Sequence, residues 1–253
     1  MVNIASYIFT MLELELRKLK NDRTELYTRA VQPILWLVLY GTVISRIRAI
    51  PTGGIPYIDY ITPAIIIQSS TFISIFYGLT LVWERESGIL KKLITTPLPR
   101  YSIVIGRSFA SGIRSLFQIL IITIVALLLG VRFYNVIFFL IASLIIFFVS
   151  SGFASLSVII ASFMKTRERF MGIGQAITMP LFFASSGLYP ISIMPKALQY
   201  IALGNPLTYI IDISRRLMIT GNMDSVIVDL IAIVIFNFTM YLLASIRFKK
   251  IIE

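Results

Sequence analysis

The sequence predicts an all-α polytopic membrane protein: six transmembrane helices, an N-terminal amphipathic interface helix, and short re-entrant helices between spans five and six. Three observations predict it. Of the 253 residues, 57% are hydrophobic, above the roughly half that soluble domains carry, and mean hydropathy is +0.88. The apolar residues fall in uncharged blocks of span length, since a bilayer core about 30 Å thick takes roughly 20 helical residues. Basic residues are shared unequally between the connections, as expected for a chain with defined inside and outside loops.

The first residues lack the basic start and compact apolar core of a signal peptide. Instead Ile4, Tyr7, Ile8, Met11, Leu12 and Leu19 share one helical face, with Glu13, Arg17 and Lys20 opposite. Glu13 and Arg17 form an i,i+4 pair in the favourable order. The expectation is a helix over 4–22 lying on the membrane surface; the alternative is a soluble helix packed on a partner.

The uncharged blocks are 30–45, 60–83, 115–131, 133–164, 170–195 and 230–246. The first needs Arg29 to snorkel and Tyr27 to anchor at the interface, and the third is extended if Arg114 snorkels. The fourth would be about 48 Å long as one helix. Phe133-Tyr134-Asn135 is expected as an external turn before it, and Ser150-Ser151-Gly152 as a bend within it; without an internal polar turn it counts as one span. The fifth is broken by Pro180, Gly187 and Pro190, and Asp229 stands just before the sixth.

With the N-terminus in the cytoplasm, sixteen basic residues lie in inside segments and six outside, with Arg114 within a span. Both termini are therefore expected in the cytoplasm, which agrees with an even number of spans. In the external segment, Gly204-Asn205-Pro206 interrupts an uncharged run. Asn205 suits an N-cap and Pro206 the first helical position. Leu207, Ile210, Ile211 and Ser214 would share a face, and Asp212 would pair with Arg216. Two such short apolar helices suit a re-entrant or interfacial placement; the alternative is an external loop folded over the bundle.

Composition removes several chemistries. There is no histidine and no cysteine, so imidazole metal sites, His acid–base catalysis and thiol chemistry are absent, and no metal site is expected. There is no G-x-x-x-x-G-K-S/T, so the chain has no P-loop for ATP. Neither H-E-x-x-H nor G-x-S-x-G occurs, and no span carries paired carboxylates of the kind used in proton relays. The chain is thus read as a non-enzyme that binds no cofactor itself. The net charge of +11 is read as basic cytoplasmic loops near lipid headgroups, with no nucleic-acid partner.

Gln68, Gln118, Gln175 and Asn237 lie within spans; each either hydrogen-bonds between helices or lines a translocation path. Arg100, Arg107 and Arg114 recur every seven residues and so align on one stripe, either snorkelling to headgroups or forming a basic track. The densest polar stretch is WERESGILKKLITTPLPR, residues 83–100. Ile89, Leu90, Leu93 and Ile94 share a face opposite Lys91 and Lys92. Ser87 is expected to cap the start of this short helix, with Glu84 and Glu86 near the positive end of its dipole, and Pro97 to end it. Its apolar face needs a partner, either the chain's own membrane surface or a docking protein.

These features together resemble the ABC-2-type permeases, the membrane subunits of a class of ATP-binding-cassette exporters. ERESGILKKLITTPLPR is similar to the family's stretch after the second span. GLYPISIMPKALQYIALGNPLTYIIDISRRLMI is similar to its segment between spans five and six. The layout of surface helix and six spans matches as well, so the likeness covers nearly the whole chain, and NPLTY with its following Asp and Arg looks closest to the drug-resistance and lipo-oligosaccharide export branches.

The resemblance implies a coupling helix within 84–96, placing Glu84, Arg85, Glu86, Gly88, Ile89, Leu90, Leu93 and Ile94 at the contact with a separate P-loop ATPase that uses ATP and Mg. It implies a re-entrant segment over 188–218, with Pro190, Pro195, Asn205, Pro206, Asp212 and Arg215. It implies two copies around one path, in the plasma membrane. Lys91-Lys92 departs from the family, where an acidic residue is common. The expected function is ATP-driven export of a lipophilic or lipid-linked substrate. The rivals are polysaccharide export within the family, an ATPase-independent channel or scaffold, and an intramembrane enzyme.

Overall fold

The computed structural model describes residues 9–10, 12–14, 16–17, 24–47, 50–89 and 100–252, and no strand occurs among them. The helices are α1 (Thr24–Leu35), a π-wound turn (Trp36–Gly41), α2 (Thr42–Ile47), α3 (Tyr57–Phe76), α4 (Gly78–Glu86), α5 (Arg100–Leu128), α6 (Val136–Phe163) and α7 (Arg167–Phe183). After a 3₁₀ turn (Ile191–Ile193) follow α8 (Lys196–Gly204), α9 (Pro206–Arg215), a π turn (Arg216–Thr220) and α10 (Val226–Ile252).

Five helical stretches among the described residues are long and apolar enough to cross a membrane: Tyr27–Ile47, Tyr57–Glu86, Ile103–Leu128, Val136–Phe163 and Val226–Phe248. They correspond to five of the six expected blocks. The block 170–195 yields only α7, 17 residues ending at Phe183, about 26 Å at 1.5 Å per residue. Pro180 sits in its last turn, and Asn205 Nδ2 donates to the Leu181 and Ala184 carbonyls at 2.6 and 2.9 Å. The carbonyls left free at the helix end are thus satisfied by a side chain, and the chain turns back through Ser185-Ser186-Gly187.

α6 is a single helix, as expected, but it runs through Ser150-Ser151-Gly152 without interruption. These small residues serve contact instead of bending: Asn237 Oδ1 occupies the space where a Gly152 side chain would stand, and Tyr241 donates to Ser151 Oγ at 2.6 Å. Asn135 caps the helix, accepting from the Ile137 amide at 2.9 Å, and the preceding turn is tied to the π turn by Tyr134 N donating to Met218 O at 2.8 Å. The described residues between Phe9 and Arg17 are helical, Arg17 pairs with Glu13 at 2.7 Å, and Leu16 packs on Ile73.

The continuous helix α3–α4, interrupted only at Tyr77, forms the axis of the bundle. Nearly all of α3 is buried, against α1, α5, α6, α7 and α9. Lipid tails are as apolar as leucine, so close packing and hydrogen bonds must hold such helices together. Both are present. Ser69 donates to Gln118 Oε1 at 2.9 Å between α3 and α5, and Ser108 bonds Ser155 at 2.9 Å between α5 and α6. Gly78 lies so close to α6 that an added Cβ would come within 2.8 Å of the Ser157 carbonyl oxygen.

Gly78→Ala is therefore expected to force α4 away from α6 and cost about 1–3 kcal/mol, as overpacking does. Gly172→Ala on α7, where a Cβ meets nothing within 4 Å, is expected to be neutral or to stabilise by up to about 1 kcal/mol through helix propensity. Thermal unfolding in detergent checks both; equal shifts would contradict the packing.

Candidate functional site

Polar chemistry collects at the two ends of the α3–α4 axis. At the Tyr57 end the centre is Arg215, 8% exposed, near the end of α9. Asn205 builds this position. Its Oδ1 accepts from the Leu207 amide at 3.0 Å, the expected N-cap, with Pro206 at the first helical position, and its Nδ2 holds the end of α7. One side chain thus fixes the start of α9 against the turn it must meet.

Arg215 uses its whole fork. Nε donates to the Tyr60 carbonyl at 3.1 Å, Nη2 to the Ser186 carbonyl at 2.8 Å and Nη1 to Asp212 Oδ1 at 3.0 Å. The guanidinium carbon stands 3.7 Å from the Tyr60 ring centroid, a cation–π contact. Ser186 Oγ also donates to Asp212 at 2.7 Å, and Tyr60 and Tyr57 donate to the Ser186 and Leu188 carbonyls, each at 3.0 Å. Burial pushes the Arg215 pKa down, while Tyr60 and Asp212 pull it back up.

The expected Asp212–Arg216 pair does not form. Asp212 pairs with Arg215 one turn along, and Arg216, carried into the π turn, reaches Asp229 of α10 at 2.9 Å. Beside this node lies a polar cavity of about 530 Å³, lined by Thr52, Ser192, Asp212, Arg215, Arg216 and Thr220 among others. Pro190 and Ile191 line it too, whereas Pro195 is exposed at the start of α8. A second cavity of about 580 Å³, between α7 and α8–α9, is almost wholly apolar, with Pro180, Phe183 and Ile201 on its walls.

At the opposite end, Glu84 is buried and pairs with Arg107 of α5. Arg85 donates to the Met164 carbonyl, and Glu86 pairs with Arg167 at 2.7 Å. The Ser87 hydroxyl donates to the Trp83 carbonyl at 2.9 Å at the end of α4; the short helix it is expected to cap lies, beyond Ile89, outside the described residues. Gly88 follows with a φ of +73°, the left-handed conformation that terminates helices such as α4. Ile89 is exposed. Leu90, Leu93 and Ile94, with Lys91, Lys92 and Pro97, lie outside the described residues.

Two members of the arginine stripe, Arg107 and Arg114, do not snorkel. Arg107 and Arg114 are 3% and 4% exposed inside the bundle, Arg114 lying over the Tyr77 ring at 4.5 Å. The uncharged polar residues divide. Gln118 is buried and bonded to Ser69. Gln68 lines a cavity of about 10 Å³, the size of a single water. Asn237 fills the space over Gly152, and Gln175 is exposed on α7. No single wall gathers all four. Sequence reasoning missed Tyr57, Tyr60, Ser186 and Arg107 as partners. The available signal was two tyrosines three residues apart opening a span and a Ser-Ser-Gly turn closing another.

The fold and these two nodes define a polytopic membrane protein, helical throughout its described regular structure, with several charged side chains held inside the bundle. A profile of the ABC-2 type transporter family matches residues 6–219, and the chain belongs to that family. It is 27% identical over 215 residues to transport permease ycf38 of Cyanophora paradoxa, covering 83% of this chain and 73% of that one. To the multidrug ABC transporter permease YbhR of Escherichia coli it is 28% identical over 172 residues, 64% of this chain and 45% of YbhR. To the doxorubicin resistance ABC transporter permease protein DrrC of Mycobacterium tuberculosis it is 27% identical over 194 residues, 76% and 69% of the two chains.

Arg215→Met removes the fork and strands two buried carbonyls and a carboxylate, so a loss of about 3–5 kcal/mol is expected, as when a buried charged partner is removed. Asp212→Asn, at a partly exposed position, should cost only about 1 kcal/mol. Chemical denaturation in micelles reads the difference, and comparable losses would refute the central place given to Arg215.

Proposed function

We propose that the chain is the membrane-spanning permease subunit of an ABC exporter and that it receives work from a P-loop ATPase on a separate chain, where ATP and Mg are used. The observation that carries this reading is the join of family membership with residues 84–89. The chain has no P-loop of its own, and at one end of its axis the helix closes at Ser87-Gly88 and presents Ile89 to solvent. An exposed apolar residue following a firmly anchored turn suits docking by a soluble partner; a standalone channel or scaffold has no need of it.

The rest of the proposal follows from chain layout. α7 serves as the fifth of six spans and, at about 26 Å, is completed across the bilayer by the 184–195 turn. α8 and α9 are re-entrant helices at the outer end, and the Glu84 end and both termini are cytoplasmic, as the basic-residue bias requires. Two copies in the plasma membrane enclose the path. ATP-driven closure of the partner subunits shifts the segment after Gly88, and the α3–α4 axis carries the shift toward the Arg215 end. Binding of ATP biases the two states only by favouring one of them.

The two outer cavities, one polar and one apolar, favour an amphiphilic cargo, a lipid-linked or lipophilic molecule. The names of YbhR and DrrC speak of a multidrug transporter and of doxorubicin resistance for those proteins, which supports the drug-like end of this range. Polysaccharide export is the second reading, favoured by the hydroxyl and charged lining of the polar cavity.

Ile89→Glu is expected to abolish co-purification with the ATPase subunit while leaving the unfolding temperature unchanged; an intact complex would sink the docking assignment. Because the chain has no cysteine, single Thr52→Cys and Lys249→Cys variants report orientation cleanly. An impermeant maleimide applied outside should label the first only, and reaction of the second would reverse the topology.

A further inference from the structure

Glu84, Arg85 and Glu86 are successive residues in the last turn of α4, so their side chains leave the helix about 100° apart. Each is held by a different element. Glu84 pairs with Arg107 of α5, the two side chains only 4% and 3% exposed. Arg85 donates to the Met164 carbonyl just after α6. Glu86 accepts from Arg167, the first residue of α7, at 2.7 Å, and the Arg167 guanidinium also stands 5.9 Å from the Trp83 ring.

We infer that this turn is a hub that passes displacement of the ATPase-contacting segment into α5, α6 and α7 together, with Arg107 and Arg167 as the receiving positioning residues. The inference rests on the docking reading of residues 84–96. Only Ser87 separates the hub from Gly88, whose left-handed backbone leads directly to Ile89. The three ties differ in strength by burial. The Glu84–Arg107 pair is out of water, and parting it would separate two opposite charges inside the protein; α5 must follow α4. The Glu86–Arg167 pair is 32% and 45% exposed, so water and salt compete for it, and α7 follows less firmly. α7 is also the helix whose Gln175 is exposed.

A residue that only stabilised the bundle would need no such arrangement. The bundle already has a serine and glycine seam between α3, α5 and α6, and the last turn of a helix is the place where its own backbone holds side-chain partners least rigidly.

The test uses the complex of permease and ATPase subunit in lipid nanodiscs, with single-cysteine reporters at Thr220→Cys beside the polar cavity and Gln175→Cys on α7. Maleimide labelling rates are compared without nucleotide and with ATP and vanadate. In Arg107→Gln, outside the docking residues, the nucleotide-dependent change at position 220 is expected to fall by about tenfold, within the usual range of coupling factors. The ATPase should still co-purify and still hydrolyse ATP. The exchange Glu84→Arg with Arg107→Glu should restore the response. Arg167→Gln, at an exposed pair and so safe for folding, should lose the response at position 175 and keep it at 220.

Single variants that respond like the parent overturn the hub. So does a lowered unfolding temperature with an unchanged nucleotide response, which would assign the pair to folding alone. Failure of the parent permease to bind any ATPase would instead remove the docking reading beneath it.

Discussion

The burial of one helix governs the rest of the structure. From Tyr57 to Glu86 the chain runs through the middle of the bundle, and the helices around it pack by touching it. In a membrane no water is expelled when helices meet, so the usual driving force for burial is missing between them. What remains is dispersion over well-fitted surfaces and the satisfaction of polar groups. The sequence of α3–α4 meets both needs: isoleucines and alanine for surface, with Tyr60, Ser69, Glu84 and Arg85 each bonded to a neighbour, and Gly78 where α6 comes closest. The last helix is the counter-example. α10 leaves most of its residues outside the protein and is held by few polar ties, among them Tyr241 to Ser151 and Asp229 to Arg216.

The same logic bears on the arginines that sit in the interior of so apolar a chain, Arg107, Arg114 and Arg215 among them. A guanidinium can be buried only when its hydrogen-bond donors are met, because an isolated charge in a low-dielectric interior is very costly. Arg215 meets this with two backbone carbonyls, a carboxylate and an aromatic face. Those carbonyls belong to Tyr60 and to the Ser186 turn, so the residue ties the end of α9 to two elements more than a hundred and about thirty residues distant in sequence. Arg107 pairs with Glu84, and Arg114 lies over the Tyr77 ring. In each case the charge has become a fastener between elements far apart in the chain.

The helix-by-helix outline was legible because hydropathy reports length and lipid exposure directly. The Asn205-Pro206 start, the Asn135 turn and the Glu13–Arg17 pair were legible too, since each is a local rule acting over a few residues. Two readings went otherwise for a common reason. Asp212 faced a choice between Arg215 and Arg216, both within a helical turn of it, and the arrival of α10 with Asp229 decided it. Arg107 and Arg114 had the spacing of a lipid-facing stripe, and only the position of α4 shows that the stripe faces protein. Periodicity names a face; it cannot say what covers it. The fifth block gave a shorter helix than expected for a different reason: Asn205, which bonds the carbonyls at the end of α7, lies more than twenty positions downstream.

The axis carries unlike fasteners at its two ends. Tyr60 and Glu84 are 24 residues apart, about 36 Å along a helix. At the Tyr60 end the helix offers a backbone carbonyl and a ring to an incoming arginine; at the Glu84 end it offers three side chains, to α5, to the residue just after α6 and to α7. A rod joined this way transmits movement only if it does not bend between its ends, and its weak point is the interruption at Tyr77. That point is clamped on both sides: the Tyr77 ring lies under Arg114 of α5, and Gly78 rests against Ser157 of α6. Bending there would open a close helix contact on one side and unstack a buried arginine on the other. On the proposed reading, work applied near Glu84 therefore reaches the Arg215 end as displacement of a whole helix, and the polar cavity beside Arg215 is where that displacement must be accommodated.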